Sequence, residues 1–168
     1  MMDTIAFRKV DQKDQRILEG MLYAALFIPQ GEPIPPASVV RKPELSKYYL
    51  HWGRTGDMGI IAIVGEIPIA ACWSRIHPEN DPGYGFVDEY TPELTIAVKD
   101  GWRNRGLGKG LLSRLCDDNR SAGFKSMSLS VDKRNPAQNL YNRLGFKIVA
   151  ENGTAYTMLK SLQPVKIS

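Results

Sequence analysis

Glycines and basic residues are combined from Arg103 to Lys109, directly after the strand-like run Glu93–Val98. This stretch, the glycine turn, reads Arg-Asn-Arg-Gly-Leu-Gly-Lys and leads into an apolar segment with helical spacing that reaches about Asn119. Glycines let main-chain N–H groups approach an anion, and a helix directs the positive end of its dipole toward its first turn. The sequence therefore predicts a phosphate-binding turn at the start of a helix.

Two familiar phosphate-binding loops do not fit this turn. A P-loop requires Ser or Thr directly after its lysine, whereas Lys109 is followed by Gly110. A dinucleotide-binding turn requires a third glycine three places after the second, where this chain has Leu111, and it normally opens its fold. The pattern that remains is Arg-x-x-Gly-x-Gly, from Arg103 to Gly108.

A second block of residues begins about thirty positions downstream of the glycine turn. It reads Asn-Pro-Ala-Gln-Asn-Leu-Tyr-Asn-Arg-Leu-Gly-Phe, from Asn135 to Phe146. With the glycine turn, it resembles the GNAT superfamily of acyl-CoA-dependent N-acetyltransferases, whose Asn-x-x-Ala-x-x-x-Tyr-x-x-x-Gly-Phe signature it follows with Ala137 one place early. The predicted order of strands and helices agrees with that family over nearly the whole chain.

The resemblance implies acetyl-CoA as cosubstrate. Its pyrophosphate would lie on main-chain N–H groups of the glycine turn, and its pantetheine arm would pair with the strand entering that turn, like an added strand. Asn135 would bond the pantetheine arm or, as an alternative, cap the next helix. The residues expected to bind the coenzyme are Ile96, Ala97, Val98, Arg103, Asn104, Arg105, Gly106, Leu107, Gly108, Lys109 and Asn135. The basic side chains available to neutralise phosphate are Arg103, Arg105, Lys109, Lys133 and Arg134.

Tyr141 is the candidate general acid. When an amine attacks a thioester, a tetrahedral oxyanion forms and a thiolate leaves, and a nearby phenol can protonate that thiolate. Main-chain N–H near Val98 would hold the oxyanion. The alternative is that Tyr141 is only a half-buried aromatic side chain on a short helix. Asn135 and Gly145 at family spacing favour the catalytic role.

Glu93 is the first candidate for the general base. The attacking amine is an ammonium at neutral pH, so a carboxylate, or a water held by one, must remove a proton. Glu93 shares a strand face with Thr95 and Ala97, a small and polar strip suited to the floor of a cleft. An equal alternative is that Glu93 is a strand-end residue bonded to neighbouring backbone. Asp88 and Glu89 remain open as other candidates for the base.

The fold class predicted from periodicity is α/β, of the α+β type. The element order β-α-α-β-β-β-α-β-α-β-β gives a GNAT-like, mixed and mostly antiparallel sheet of six to seven strands with about four helices. One parallel crossover is expected, around the glycine turn. We predict a first helix ending near Phe27, then a mostly extended proline-rich loop over 29–43. A second helix is expected from Pro43 to about Trp52, and a fourth helix from Pro136 to Leu144, ended by Gly145. The tail from Ser161 is expected to be frayed.

Length and composition agree with one domain over residues 1–168. The net charge of +4 does not imply nucleic acid, and neither a signal peptide nor a membrane-spanning run is evident, so a cytoplasmic location is expected. Cys72 and Cys116 are expected to be buried free thiols. His51 and His77 lack partners at metal-ligand spacing, so no metal is expected.

The sequence thus predicts transfer of an acetyl group from acetyl-CoA to a primary amine of a small molecule or peptide, by direct attack in a ternary complex. The acidic loop, residues 77–92, carries Glu79, Asp81, Asp88 and Glu89 without Lys or Arg, which suggests a cationic acceptor. The alternative function is a non-catalytic acyl-CoA-binding or regulatory module. Whether the acyl group is longer than acetyl stays open, and a homodimer is compatible with the sequence.

Overall fold

The computed structural model describes residues 4–163, whose strands form one seven-stranded mixed sheet. The strands are β1 (Ile5–Lys9), β2 (Met58–Val64), β3 (Ile67–Arg75), β4 (Glu93–Val98), β5 (Ser126–Asp132), β6 (Lys147–Asn152) and β7 (Ala155–Ser161). The α-helices are α1 (Gln15–Ala25), α2 (Pro43–Ser46), α3 (Leu107–Ser121) and α4 (Gln138–Arg143), and short 3-10 helices span Gln12–Asp14 and Ala37–Arg41. The predicted fold class is confirmed.

The strand order in the sheet is β1-β2-β3-β4-β5-β7-β6. All neighbouring pairs are antiparallel except β4 and β5, which are parallel and joined through α3, as predicted. The parallel pair has a single register position, Glu93 opposite Ser128, where the Ser128 N–H donates to the Pro92 carbonyl at 3.0 Å. Beyond this position the two strands separate and leave a gap.

The two faces of the sheet pack against different helices. Leu111, Leu112 and Leu115 of α3 are buried on one face, together with Leu94 of β4. The other face packs against α1 and contains Ala97 of β4. Because side chains alternate along a strand, Glu93 and Thr95 lie on the α1 face with Ala97. The strip predicted for the floor of a cleft is therefore on the α1 face.

The second helix is shorter than predicted. It ends at Ser46, and turns continue the chain to His51, because side chains of β3 bind the main-chain carbonyls that a longer helix would use. The Arg75 guanidinium donates to the Lys47 and Leu50 carbonyls at 3.0 and 2.6 Å, and the Trp73 indole donates to the Tyr48 carbonyl at 3.0 Å. Tertiary hydrogen bonds override the local pattern here.

Three smaller predictions also need correction. The proline-rich loop contains the 3-10 helix Ala37–Arg41, in a stretch free of proline. The helix expected from Pro136 starts at Gln138. At the end of the chain, β7 continues through Ser161 and Leu162 is buried, with its N–H bonded to the Lys125 carbonyl at 2.8 Å. The prediction of a frayed tail is therefore wrong for residues 161 and 162. Residues 164–168 of that tail lie outside the described residues.

A buried ion pair supports the turn that follows α2. The Arg75 guanidinium and the Asp57 carboxylate are 1% and 2% exposed and 2.8 Å apart. Asp57 also accepts the Gly53 and Arg54 N–H groups at 3.0 and 2.9 Å. The pair thus ties β3 to the chain before β2 and, through the carbonyls bound by Arg75, to the turn that carries Tyr48.

We predict that Asp57→Ala lowers the free energy of unfolding by about 3–5 kcal/mol, because the variant leaves the Arg75 charge buried and unpaired. Denaturant unfolding checks this. The matched control is Asp117→Ala, which breaks the exposed Arg120–Asp117 pair at 2.7 Å and should change stability by less than about 1 kcal/mol. Equal effects of the two substitutions would contradict the structural role given to the buried pair.

Candidate active site

A cavity of about 170 Å³ lies at the gap between β4 and β5. Its walls include residues 93–96 of β4 and residues 129–131 of β5. Tyr141 of α4 reaches it from the α3 face of the sheet, and Tyr48 reaches it from the α1 face. The cavity therefore connects the two faces of the sheet through the place where the strands part.

The main chain of β4 presents unpaired groups to this gap. The Lys99 N–H donates to the Ile69 carbonyl at 2.9 Å, and Ala97 lies opposite Ala71 in the antiparallel ladder. Bonded and non-bonded pairs alternate in such a ladder, so Ala97 bonds to β3, while the N–H and C=O groups of Ile96 and the N–H of Val98 face the gap unpaired. The Val98 carbonyl on this side accepts Arg103 Nε at 3.0 Å. Two of the three predicted residues of β4 thus offer main-chain contacts at the open edge.

The glycine turn opens α3 in a backbone conformation suited to glycine. Gly106, the residue before the helix, has φ +80°, and Asn104 has φ +62°. The first helical N–H bond joins Gly110 to the Gly106 carbonyl at 3.1 Å, so the N–H groups of residues 107–109 precede the helical ladder. Among residues 4–163, no acceptor binds the main-chain N–H groups of residues 103–109. Leu107 is buried and anchors this turn to the core.

The basic candidates differ in what their side chains already bind. Arg103 donates from Nε to the Val98 carbonyl at 3.0 Å and lies 3.2 Å from Asp100, while Arg105 stacks over the Trp102 ring. Lys109 is exposed and pairs with no carboxylate among residues 4–163.

The two cations that directly precede the second block are paired with carboxylates. Lys133 pairs with Glu151, and Arg134 pairs with Asp132 at 2.9 Å and with Glu32 at 3.5 Å. Of the five basic candidates, Lys109 and Arg105 therefore have the fewest polar partners within the described residues.

Glu93 is a buried carboxylate, 3% exposed, on the wall of the cavity. Its Oε2 accepts a hydrogen bond from the Tyr48 hydroxyl at 2.6 Å. Its Oε1 meets no donor in bonding geometry among residues 4–163 and lies against Gly83, where an added Cβ would be 2.2 Å from it. Burial raises the pKa of Glu93 to about 7, against the opposing effects of the Tyr48 hydrogen bond, the Gly85 N–H and Lys47.

Tyr48 lies in the turn after α2 and is 5% exposed. Its hydroxyl accepts the Tyr84 N–H at 2.7 Å and donates to Glu93, and its ring packs edge-on against His77 with centroids 5.0 Å apart. Burial, followed by the Glu93 charge, raises the pKa of Tyr48. Burial and nearby cations lower the pKa of His77 to about 4. Both groups are therefore neutral near pH 7.

Tyr141 lies on the opposite side of the cavity from Tyr48. Its ring packs edge-on against Phe146 with centroids 6.1 Å apart, and the residue is 8% exposed. Burial raises the pKa of Tyr141, so the phenol keeps its proton at neutral pH. Within residues 4–163 its hydroxyl has no hydrogen-bond partner, which leaves it available to a molecule in the cavity.

Asn135 also lines the cavity and has a local partner. Its Oδ1 accepts the Ala137 N–H at 2.9 Å, a contact that shapes the turn before α4. This contact belongs to the turn and is not a helix cap, because α4 has Ala137 as its N-cap and no side-chain cap hydrogen bond, so the capping alternative for Asn135 is wrong. The contact uses the side-chain carbonyl oxygen of Asn135 and leaves its amide N–H groups to other partners.

Three of the four carboxylates of the acidic loop accept hydrogen bonds within the protein, and the fourth, Glu79, is exposed. Asp81 pairs with Lys47 at 2.5 Å, Asp88 accepts the Tyr90 N–H at 2.8 Å, and Glu89 accepts a main-chain N–H at 2.8 Å. Neither Asp88 nor Glu89 lines the cavity. The charge bias of this loop therefore does not produce an acidic cavity, and Glu93 is the one candidate base on the cavity wall.

The remaining sequence predictions concern metals, membranes and thiols. Within residues 4–163, no cluster of three or more His, Cys, Asp or Glu side chains is arranged to hold a metal ion. No helix in that part of the chain has both the length and the apolar character to cross a membrane. Cys72 and Cys116 are free and buried, as predicted.

Comparisons with solved structures show the same fold in several acetyltransferases. YncA of Salmonella typhimurium, solved with its cofactor acetyl-CoA, is 18% identical, has a TM-score of 0.68 and covers 98% of each chain. The PaiA N-acetyltransferase of Thermoplasma acidophilum, solved with coenzyme A, is 17% identical with a TM-score of 0.68 and covers 94% of this chain and 99% of that one. The ribosomal-protein-S18-alanine N-acetyltransferase of Escherichia coli is 16% identical, with a TM-score of 0.65 and 97% of each chain covered.

The sequence comparisons are more specific. An L-methionine sulfoximine/L-methionine sulfone acetyltransferase of Salmonella typhimurium is 36% identical over 63 residues, and that segment spans only 37% of this chain and 37% of the relative. The model of the acetyltransferase (GNAT) family matches residues 27–146, well over half of the chain. The match includes β4, the glycine turn and the second block through Phe146, and the chain therefore belongs to the acetyltransferase (GNAT) family.

Proposed function

We propose that this protein is an N-acetyltransferase that moves an acetyl group from acetyl-CoA to a primary amine by direct attack in a ternary complex. The observation that carries this proposal is the cavity through the gap between β4 and β5. It is lined by a protonated phenol, Tyr141, on one face of the sheet and by a titratable carboxylate, Glu93, on the other. Membership of the acetyltransferase (GNAT) family supports the acetyl transfer.

The coenzyme would bind along the open edge of β4 and the glycine turn. Free N–H groups at the start of α3 suit its pyrophosphate, with Lys109 and Arg105 as nearby cations. The main-chain groups of Ile96 and the Val98 N–H suit an extended pantetheine arm, because the Val98 carbonyl already accepts Arg103. YncA and PaiA, which share this fold, were solved with acetyl-CoA and coenzyme A.

In the proposed reaction the ammonium loses two protons, and two groups of the protein accept them. The ammonium loses one proton toward Glu93, and the freed electron pair attacks the thioester carbonyl, with main-chain N–H near Val98 placed to bind the oxyanion. The C–S bond then breaks, and Tyr141 protonates the sulfur. The nitrogen loses its second proton as the amide forms, which restores the Tyr141 phenol, and Glu93 later releases its proton to solvent.

The acceptor side of the cavity is mainly apolar. Leu22, Ala25, Leu26 and Leu45 line it, and Glu93 is its carboxylate. Since no carboxylate of the acidic loop lines the cavity, a primary amine attached to an apolar group fits this wall better than a polycation. The Salmonella typhimurium relative is named for amino-acid derivatives, which supports a small-molecule acceptor.

Replacing Tyr141 with Phe should reduce kcat by about 10²–10⁴-fold, because the leaving thiolate loses its proton donor. Affinity for acetyl-CoA should remain nearly unchanged, since the ring stays in place. Thiol release measures the rate, and calorimetric titration with acetyl-CoA measures the affinity. An unchanged kcat would show that another group, or water, protonates the sulfur.

A panel of amines should show the acceptor preference. Alkyl or arylalkyl monoamines should have higher kcat/KM than polyamines of equal length, because the cavity would have to bury a second ammonium among apolar side chains. Acetyl-CoA-dependent thiol release measures each rate. A preference for polyamines would restore the cationic acceptor suggested by the acidic loop, and inactivity with all amines and peptides would favour a non-catalytic acyl-CoA-binding module.

The Glu93 carboxylate should reduce stability as pH rises. Its ordinary pKa is 4.5 and its pKa in the folded protein is about 7, so the folded state holds a proton that the unfolded state has lost between these values. Stability therefore falls across that window, by about 1.4 kcal/mol per pKa unit. Glu93→Gln does not ionise, so its Tm advantage over wild type should grow between about pH 5 and about pH 8. Thermal unfolding at both pH values tests this, and a constant difference would contradict the raised pKa.

A further inference from the structure

Access to the Glu93 carboxylate is restricted on both oxygens. Oε1 is enclosed and lies against Gly83, with no room there even for a methyl group. Oε2 is covered by the Tyr48 hydroxyl at 2.6 Å. The carboxylate is 3% exposed, and the group bound to it on the cavity wall is Tyr48, which is 5% exposed and whose hydroxyl also packs against Gly83.

The hydrogen bonds of Tyr48 orient its hydroxyl in one direction. The Tyr84 N–H donates to the Tyr48 oxygen at 2.7 Å, so the hydroxyl hydrogen does not point there and is directed at Glu93 Oε2. A hydroxyl oxygen has two lone pairs, and the Tyr84 N–H uses one of them. The second lone pair is available to a donor in the cavity, which Tyr48, Tyr84 and Glu93 all line.

We propose that Tyr48 is a catalytic proton relay, which takes a proton from the acceptor ammonium while passing its own hydroxyl proton to Glu93 Oε2. The inference rests on the function proposed above. One N–H bond of the ammonium breaks and its electron pair stays on nitrogen. The proton forms a new O–H bond on Tyr48 as the old O–H bond breaks toward Glu93. Tyr48 ends neutral, Glu93 ends as a carboxylic acid, and the amine is free to attack.

The cationic side chains around this relay are paired with other groups. Lys47, beside Tyr48, binds Asp81 at 2.5 Å and the Pro82 carbonyl at 2.9 Å. Arg75, opposite Glu93 on β3, binds Asp57.

The other titratable neighbours are Tyr84, whose N–H binds the Tyr48 oxygen, and His77, which packs on the Tyr48 ring and whose pKa is about 4. Burial raises the pKa of Tyr48, which opposes a stable phenolate and favours a concerted transfer. Among these neighbours, Glu93 is the group left to hold the proton near neutral pH.

The test compares two acceptor amines at neutral pH. One is an alkylamine, present as ammonium, and the other is a fluorinated amine of similar size, already present as the free base. Tyr48→Phe should lower kcat for the alkylamine by about 10²-fold or more and have a much smaller effect with the fluorinated amine, which has no first proton to lose. KM for acetyl-CoA should not change.

A structural role for Tyr48 would lower both rates equally, and that result would overturn the relay. Glu93→Gln, an isosteric change, should show the same selective loss and provides the test if Tyr48→Phe fails to fold. Equal losses with Glu93→Gln would overturn the proposal as well. The matched control is Tyr49→Phe, which removes a neighbouring buried hydroxyl bonded to the Val40 carbonyl at 3.0 Å and should leave the ratio of the two rates unchanged.

The results that would contradict the acetyltransferase proposal differ from those that would contradict only the relay. If wild type acetylates neither amine nor any other acceptor, the acetyltransferase proposal fails and the relay fails with it. If wild type acetylates both amines and Tyr141→Phe lowers both rates, while Tyr48→Phe shows no selectivity, only the relay is wrong.

Discussion

The separation of β4 and β5 is the constraint on which the candidate site depends. Their one register position, Glu93 opposite Ser128, closes the gap at one end. The acidic loop packs at that end, where Gly85 approaches the β5 main chain so closely that an added Cβ would lie 2.5 Å from the Leu129 carbonyl carbon. An added Cβ at Gly83 would lie 2.2 Å from Glu93 Oε1. Glycine is required at both positions because the loop packs directly against backbone and carboxylate.

The site is connected to the buried framework through the turn after α2. Arg75, neutralised by Asp57, binds the carbonyls on either side of Tyr48 in sequence, at Lys47 and Leu50. The Trp73 indole binds the Tyr48 carbonyl itself. Because these contacts fix the main chain, the Tyr48 hydroxyl is held at Glu93 by the core of the sheet rather than by the short helix α2 that precedes it. Residues of β3 that do not line the cavity thus determine the geometry of the residues that do.

Much of the fold and part of the site could be predicted from sequence because their signals are local. The run Glu93–Val98, the glycine turn and the helix ended by Gly145 depend on neighbours within a few positions. The role of Tyr48 depends on Glu93, 45 positions away, and the short α2 depends on Arg75. The composition of the acidic loop does not show which of its carboxylates already have partners, as Asp81 does with Lys47. Contacts between distant positions account for what the sequence did not predict.

Burial acts on both of the groups proposed as acid and base at this cavity. Loss of water around a group disfavours its charged form and raises the pKa of any acid, phenol or carboxyl alike. For Tyr141 this moves the pKa further above neutrality, so the group stays protonated and can donate. For Glu93 it brings the pKa up to about 7, where the group can accept a proton and release it again. Because the sheet lies between the two residues, one physical effect at its two faces produces opposite chemical roles.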